Sequence, residues 1–286
     1  MSTMTGTIPN ENSLRLFIKR NPLLSMYIIM FTIAWSIMIP QALYSQGILS
    51  TPLPGFLEIL TGWTPAIAAI IVSAVLAGRS GVRALFGRFL IWKVGAPWYL
   101  IGTFLLALII LGGIGLHMLF GGATPVIPAA GTPLWQLALI FLAFVLLGFL
   151  INTEEIVWRG FALPHLQPRY GALLAALFIA VPEVLLHLPL FWVQDSFIRS
   201  VGLDWFTAFS VAAVFIFTYV FNRTKGSLLI VTLLHASQNA WSNLLSDNSP
   251  RPFYFTVALF WALALVLLLV TKGKLGYSPD ESERSN

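Results

Sequence analysis

The sequence predicts an all-α polytopic membrane bundle of about eight transmembrane helices, and three observations carry that prediction. Of its 286 residues, 58% are hydrophobic and only 9% are charged, where a soluble domain carries about 25% charged residues. Apolar runs of about twenty residues, the length a helix needs to cross the hydrocarbon core, recur along the chain. The Lys and Arg residues between those runs alternate from one side to the other.

The eight spans fall at 22–44, 59–78, 97–120, 133–153, 171–192, 204–221, 227–246 and 252–271. The second is the least regular, because Pro54 and Gly55 precede it and Trp63, Thr64 and Pro65 interrupt it. Arg15, Lys19 and Arg20 precede span one, and the first loop has no Lys or Arg. The second loop has Arg79, Arg83, Arg88 and Lys93, and the third again has none. Arg159 and Arg169 lie in the fourth, Arg199 in the fifth, Arg223 and Lys225 in the sixth and Arg251 in the seventh. Lys272, Lys274 and Arg284 follow the last span, so 14 of the 16 basic residues fall on one side. The positive-inside rule makes that side, and both termini, cytoplasmic.

The predicted organisation is a cytoplasmic N-terminal tail at 1–21, a single transmembrane domain at 22–271 with its motif core at 140–245, and a cytoplasmic C-terminal tail at 272–286. Span one reads as a retained anchor, since its run exceeds a signal-peptide core and no small-x-small site follows closely. The net charge of +5 reports topology and does not point to nucleic acid. The absence of cysteine excludes disulfides, thiolate metal sites and a cysteine nucleophile.

Ionisable groups at membrane depth are costly, and each is a functional candidate. In "EEIVWR", 154–159, a continuing helix puts Glu155 and Arg159 at i and i+4 on one face. Glu154 then points about 100° away without a local cation, free to face a pocket as a general base. The competing reading is an acid pair solvated at the interface. In "EVLLH", Glu183 and His187 also share a face; the alternative is a core histidine bonded to a carbonyl that a proline frees. In "HASQN", His235 and Asn239 share a face with Gln238 beside them; the alternative is interhelical hydrogen-bonding glue. Together they place two glutamates, two histidines and an asparagine on three spans, a set that binds zinc with an open position or activates water directly. His117 and His165 carry no such partners nearby in sequence.

Depth is the obstacle to a shared site. His187 follows Gly171 by 16 residues and His235 follows Gly226 by 9, roughly 24 and 14 Å along straight helices. A common site requires span four to be short or raised and span five to begin lower. It would then lie between mid-membrane and the cytoplasmic face.

The three motifs in this order resemble the CAAX protease and bacteriocin-processing (CPBP, or Abi) family, whose pattern is EExxxR, FxxxH and HxxxN. The surrounding "WRGFALPHLQPRYGALLAAL" and "NRTKGSLLIVTLLHASQNA" resemble its prokaryotic members. The resemblance implies an eight-helix bundle in a bacterial or archaeal cytoplasmic membrane, with a cavity reached from the cytoplasm. It implies peptide hydrolysis by activated water, with Glu154 as base, His187 assisting, His235 and Asn239 stabilising the oxyanion, and Glu155 and Arg159 supporting the site. Zn2+ held by Glu154, His187 and His235 is one version of that chemistry; metal-free activation is the other. One position departs from the pattern: Glu183 stands where the family carries an aromatic ring. Its carboxylate would orient His187, raise its proton affinity, add a metal ligand or spoil the pocket.

The expected function is an intramembrane endopeptidase acting on a peptide or membrane-associated protein tail. Prokaryotic relatives are associated with bacteriocin maturation, self-immunity or signalling. The competing readings are an inactive scaffold or regulator of the same fold and a proton-coupled transporter. A carrier built from repeats would show duplicated halves with broken helices, and only "GALL" and "GSLL" echo each other.

Overall fold

The computed structural model describes residues 13–246 and 249–279. The outer parts of both expected tails, with Arg284, lie outside the described residues. All regular structure among those described is helical. Part of the expected N-terminal tail is itself a helix, α1 (Ser13–Arg20), whose last turn carries Lys19 and Arg20, favourable charges for a helix C-terminus. The long helices are α2 (Pro22–Ser45), α3 (Phe56–Gly87), α4 (Ala96–Leu119), α5 (Leu134–Ile151) and α6 (Leu163–Leu186). After the short α7 (Phe197–Val201) come α8 (Leu203–Arg223), α9 (Leu228–Leu245) and α10 (Pro250–Val270).

Seven of the described helical segments are long and apolar enough to cross a membrane. The eighth expected span is α9, whose His235, Gln238, Asn239 and Asn243 lower its hydropathy below that of the others. Packing compensates for that polarity: α9 is clasped by α4 and α5 and touches α8, while α10 lies against α4 and α8.

Contacts between connecting segments define two ends of the bundle. At one, Arg88 stacks on Phe221, the Ser227 hydroxyl donates to the Ile91 carbonyl, and Asn222 joins Gln167 to Leu275. At the other, Gln46 donates to the Trp192 carbonyl, the Ala129 amide donates to Leu244, and Phe120 and Phe197 pack on Phe255 and Phe253. The first end carries Arg79, Arg83, Lys93, Arg169, Arg223, Lys225, Lys272 and Lys274; the second carries Arg199 and Arg251. Arg159 belongs to neither, because it is buried in the core.

Two glycines at positive φ break long helices at the basic end. α3 kinks at Ala77–Gly78, separating its span from the segment with Arg79 and Arg83. At Gly171, φ is 75° and ψ is 166°, a backbone region essentially restricted to glycine. The helical stretch from 156 to 186 therefore folds back on itself and is not one long span.

Candidate active site

The first acid-rich motif is held by a plug in a neighbouring helix. α5 stops at Ile151, Asn152 is extended, and Thr153 reaches α3 where Pro65 interrupts its ladder. The Thr153 hydroxyl donates to the Gly62 carbonyl at 2.7 Å and accepts from the Ala66 amide at 3.1 Å. It thus inserts between two groups that an uninterrupted helix would pair with each other. Proline leaves the Thr61 carbonyl without its usual donor, and the Thr64 hydroxyl supplies one at 2.9 Å. A Cβ at Gly62 would collide with the Ile151 carbonyl, so glycine permits the approach. The irregular "GWTP" of span two is the socket for the segment that carries the acid pair.

Beyond Thr153 the chain enters a π-helical turn, Ile156–Ala162, a wider geometry common at functional sites. Here the two acids separate. Glu155 accepts from Arg159 Nη1 at 3.1 Å and its side chain is 3% exposed. Glu154 is 15% exposed and faces a cavity, with Oε2 accepting from the Trp158 indole at 3.2 Å. The pairing of Glu155 with Arg159 and the separate direction of Glu154 follow the i, i+4 expectation. Arg159 is further fixed by the Val214 carbonyl and by the Phe217 ring, 5.0 Å from its guanidinium carbon.

The fold-back at Gly171 resolves the depth problem. Gly171 lies 17 residues after Glu154 and 16 before His187, and 12 residues from both Arg159 and Glu183. Helical arms of equal rise bring those pairs level. His187 Nε2 lies 3.7 Å from Glu154 Oε1, and Arg159 Nη1 lies 3.6 Å from Glu183 Oε2. Span four is short, as expected: α5 has 18 residues. His187 ends α6 away from the basic Gly171 turn, beside the segment of Trp192, so the Glu154–His187 pair lies toward the Lys/Arg-poor connections.

Glu183 acts through two different atoms. Its carboxylate faces Arg159, while its carbonyl accepts from His187 Nδ1 at 2.9 Å. A carbonyl can only accept, so Nδ1 carries a proton, and in the neutral ring Nε2 presents its lone pair to Glu154. The backbone, not the extra carboxylate, orients the imidazole.

His235 joins from α9, with Nδ1 3.0 Å from Glu155 Oε1 and Nε2 3.2 Å from the Asn152 amide nitrogen. The sequence reading aims both histidines at Glu154; His235 instead hydrogen-bonds Glu155. Its height on α9 and the opposite faces of the two acids decide this. Asn152 is a site residue that sequence reasoning missed: its side-chain oxygen accepts from the Glu154 amide at 3.2 Å while its nitrogen meets His235. Its position two residues before the acid pair was the available signal. Phe217 and Phe206 were also missed; they pack on His235 and His187. Gln238 and Asn239 line the same cavity, about 300 Å3 in volume, as Glu154, Glu155, Glu183, His187 and His235. His117 and His165 lie elsewhere, bonded to the Ala123 and Phe161 carbonyls.

The donor types present suit zinc. Of the three expected ligands, Glu154 and His187 face each other, while both ring nitrogens of His235 are engaged by Glu155 and Asn152. Among the described residues no group of three His, Asp or Glu side chains is disposed to hold a metal.

Fold and site together define a class: a polytopic α-helical membrane protein with a Glu/His cluster inside the bundle. Residues 133–241, which contain all three motifs, match the family described as Rce1-like, type II CAAX prenyl endopeptidase. The chain is 25% identical over 217 residues to the CAAX prenyl protease 2 of the archaeon Methanococcus maripaludis, covering 71% of this chain and 78% of that protein. On both comparisons the chain is similar to the CAAX protease and bacteriocin-processing family. The archaeal relative agrees with an integral protein of a bacterial or archaeal cytoplasmic membrane.

Proposed function

We propose that this protein is an intramembrane endopeptidase that hydrolyses a peptide bond with water activated by Glu154 and His187. The observation that carries the reading is the Glu154–His187 pair, 3.7 Å apart and facing the cavity. Two acceptors at that separation are too far apart for a direct hydrogen bond and suit a bridging water that donates to both. Glu154 takes the proton as the water oxygen adds to the substrate carbonyl carbon. That proton then passes to the amide nitrogen, the C–N bond breaks, and a carboxyl group and an amine leave. No step passes through a metal, in keeping with the donor geometry.

Asn239 supplies an amide donor to the oxyanion. His235, with Nδ1 held on the Glu155 carboxylate, donates from Nε2 when its ring is protonated, exchanging the Asn152 contact for substrate. Such donors are typically worth about 3–4 kcal/mol of barrier each. Glu155 and Arg159 hold the framework. The substrate class is a peptide or membrane-associated protein tail. On the same reading α9 is the eighth span, both termini are cytoplasmic, and tails at 1–21 and 272–286 flank one transmembrane domain at 22–271.

The test is cleavage of a peptide library by purified wild-type protein against Glu154→Gln, His187→Ala and His235→Ala. Loss of cleavage in all three supports the reading. Full activity in Glu154→Gln would overturn it, and a wild-type protein that cleaves nothing favours the scaffold.

A further inference from the structure

The cavity has a direction. On α4 it is lined by Leu106, Ile110 and Ile114, and on α10 by Pro252, Phe253 and Phe260. These residues run from the middle of their helices to the Lys/Arg-poor end. The same holds for α9, lined from His235 onward, and for Pro125, Phe197 and Ile198 in the connections at that end. Toward the basic end the site rests on packed side chains: Val157, Trp158, Phe217, Val231 and Leu234 are at most 3% exposed. The chamber thus rises from Glu154 toward the Lys/Arg-poor connections and is floored on the basic side.

Its walls are also divided. The α4 and α10 faces are apolar apart from Thr256, whereas α9 presents His235, Gln238, Asn239 and Ser242, with Ser246 just past its end. Those positions recur at helical spacing on one face. The stripe covers 12 residues, about 16 Å of rise, enough to lie alongside about five residues of extended peptide. An extended peptide brings backbone N–H and C=O groups that need partners away from water. The buried Gln238 Oε1 atom in this stripe has no hydrogen-bond partner in the protein.

We propose that the substrate is an apolar, extended peptide segment that reaches Glu154 from the extracytoplasmic face, its main chain docked along the polar stripe of α9. The side follows from the charge distribution: the basic end is cytoplasmic by the positive-inside rule, and the chamber opens away from it. The family resemblance implies cytoplasmic access instead, and the labelling below decides between the two routes. The proposal rests on the peptidase reading for what fills the chamber, but its direction is measurable without turnover.

The chain has no cysteine, so single cysteines report access directly. Ser242→Cys would be labelled with a membrane-impermeant maleimide in right-side-out and inverted vesicles. Ser200→Cys marks the Lys/Arg-poor end and Ser80→Cys the basic end, both being exposed. The expected result is that Ser242→Cys and Ser200→Cys are modified in right-side-out vesicles, and Ser80→Cys only in inverted ones. An excess of an apolar peptide should slow modification of Ser242→Cys while leaving Ser200→Cys unchanged. Labelling of Ser242→Cys together with Ser80→Cys, labelling of Ser200→Cys in inverted vesicles only, protection from both faces, or no slowing by peptide would overturn the proposal. A preparation that labels as expected but cleaves nothing leaves the route standing and removes the peptidase reading.

Discussion

Arg159 and Glu183 meet across the Gly171 fold-back with 3.6 Å between Nη1 and Oε2. The residue that departs from the family pattern is therefore turned toward the guanidinium that already holds Glu155. Glu183→Phe removes one of two acidic partners of Arg159 and restores a ring beside His187. Thermal unfolding in detergent should show a modest shift, and cleavage should persist at or above the wild-type level. Abolished cleavage in a folded Glu183→Phe protein would show that the carboxylate is required.

Glu154 and Glu155 should separate stability from chemistry. Glu155→Gln weakens the hydrogen-bonded charges of Arg159 and His235 in a buried setting, where breaking a pair costs about 3–5 kcal/mol. Glu154→Gln keeps the Trp158 contact and the shape of the side chain. The melting temperature should fall strongly for Glu155→Gln and little for Glu154→Gln, while cleavage is lost in the latter. Equal melting temperatures would remove the division of roles.

Thr153→Val tests the plug into α3. It deletes a hydroxyl that donates to Gly62 and accepts from Ala66. Leaving a buried donor unsatisfied costs about 1–3 kcal/mol, and the displaced strand carries Glu154. Reduced stability with reduced kcat is expected; Thr153→Ser, which restores the hydroxyl, should recover most of both.

Gly171→Ala places a Cβ on backbone that strongly favours glycine, at a cost of about 1–3 kcal/mol. Because Glu154 and His187 are levelled by the two arms, kcat should fall more than KM rises. An unchanged kcat and melting temperature would show that the turn does not set the site.

Chelation is expected to leave cleavage intact, because His235 is committed to Glu155 and Asn152. Elemental analysis of purified protein should find no stoichiometric zinc. One zinc per chain, lost together with activity on chelation and restored with it, would show that Glu154, His187 and His235 rearrange around a metal.

Much of this protein was legible without coordinates. The spans were readable because length and hydropathy are local properties, and lipid leaves the backbone few alternatives to a helix. The Glu155–Arg159 pair was readable because i, i+4 neighbours meet whatever surrounds them. Asn152 and Thr153 were not, since their importance lies in partners 83 and 87 residues distant in sequence. The "GWTP" interruption looked like a weak span start and is a socket for another segment.

The sequence by itself determined an integral helical membrane protein, its similarity to this family, the identity of its ionisable candidates and the split between the two acids. Tertiary structure decided which histidine meets which acid, that Glu183 faces Arg159, and that residues of the Lys/Arg-poor connections line the chamber. The physical reason is the fold-back at Gly171. A single glycine reads as a helix breaker, but whether the chain then bends, stops or returns depends on what packs against both arms. Here Arg159 with Glu183 and Glu154 with His187 join the two arms at equal heights, and that pairing sets the depth and direction of the site.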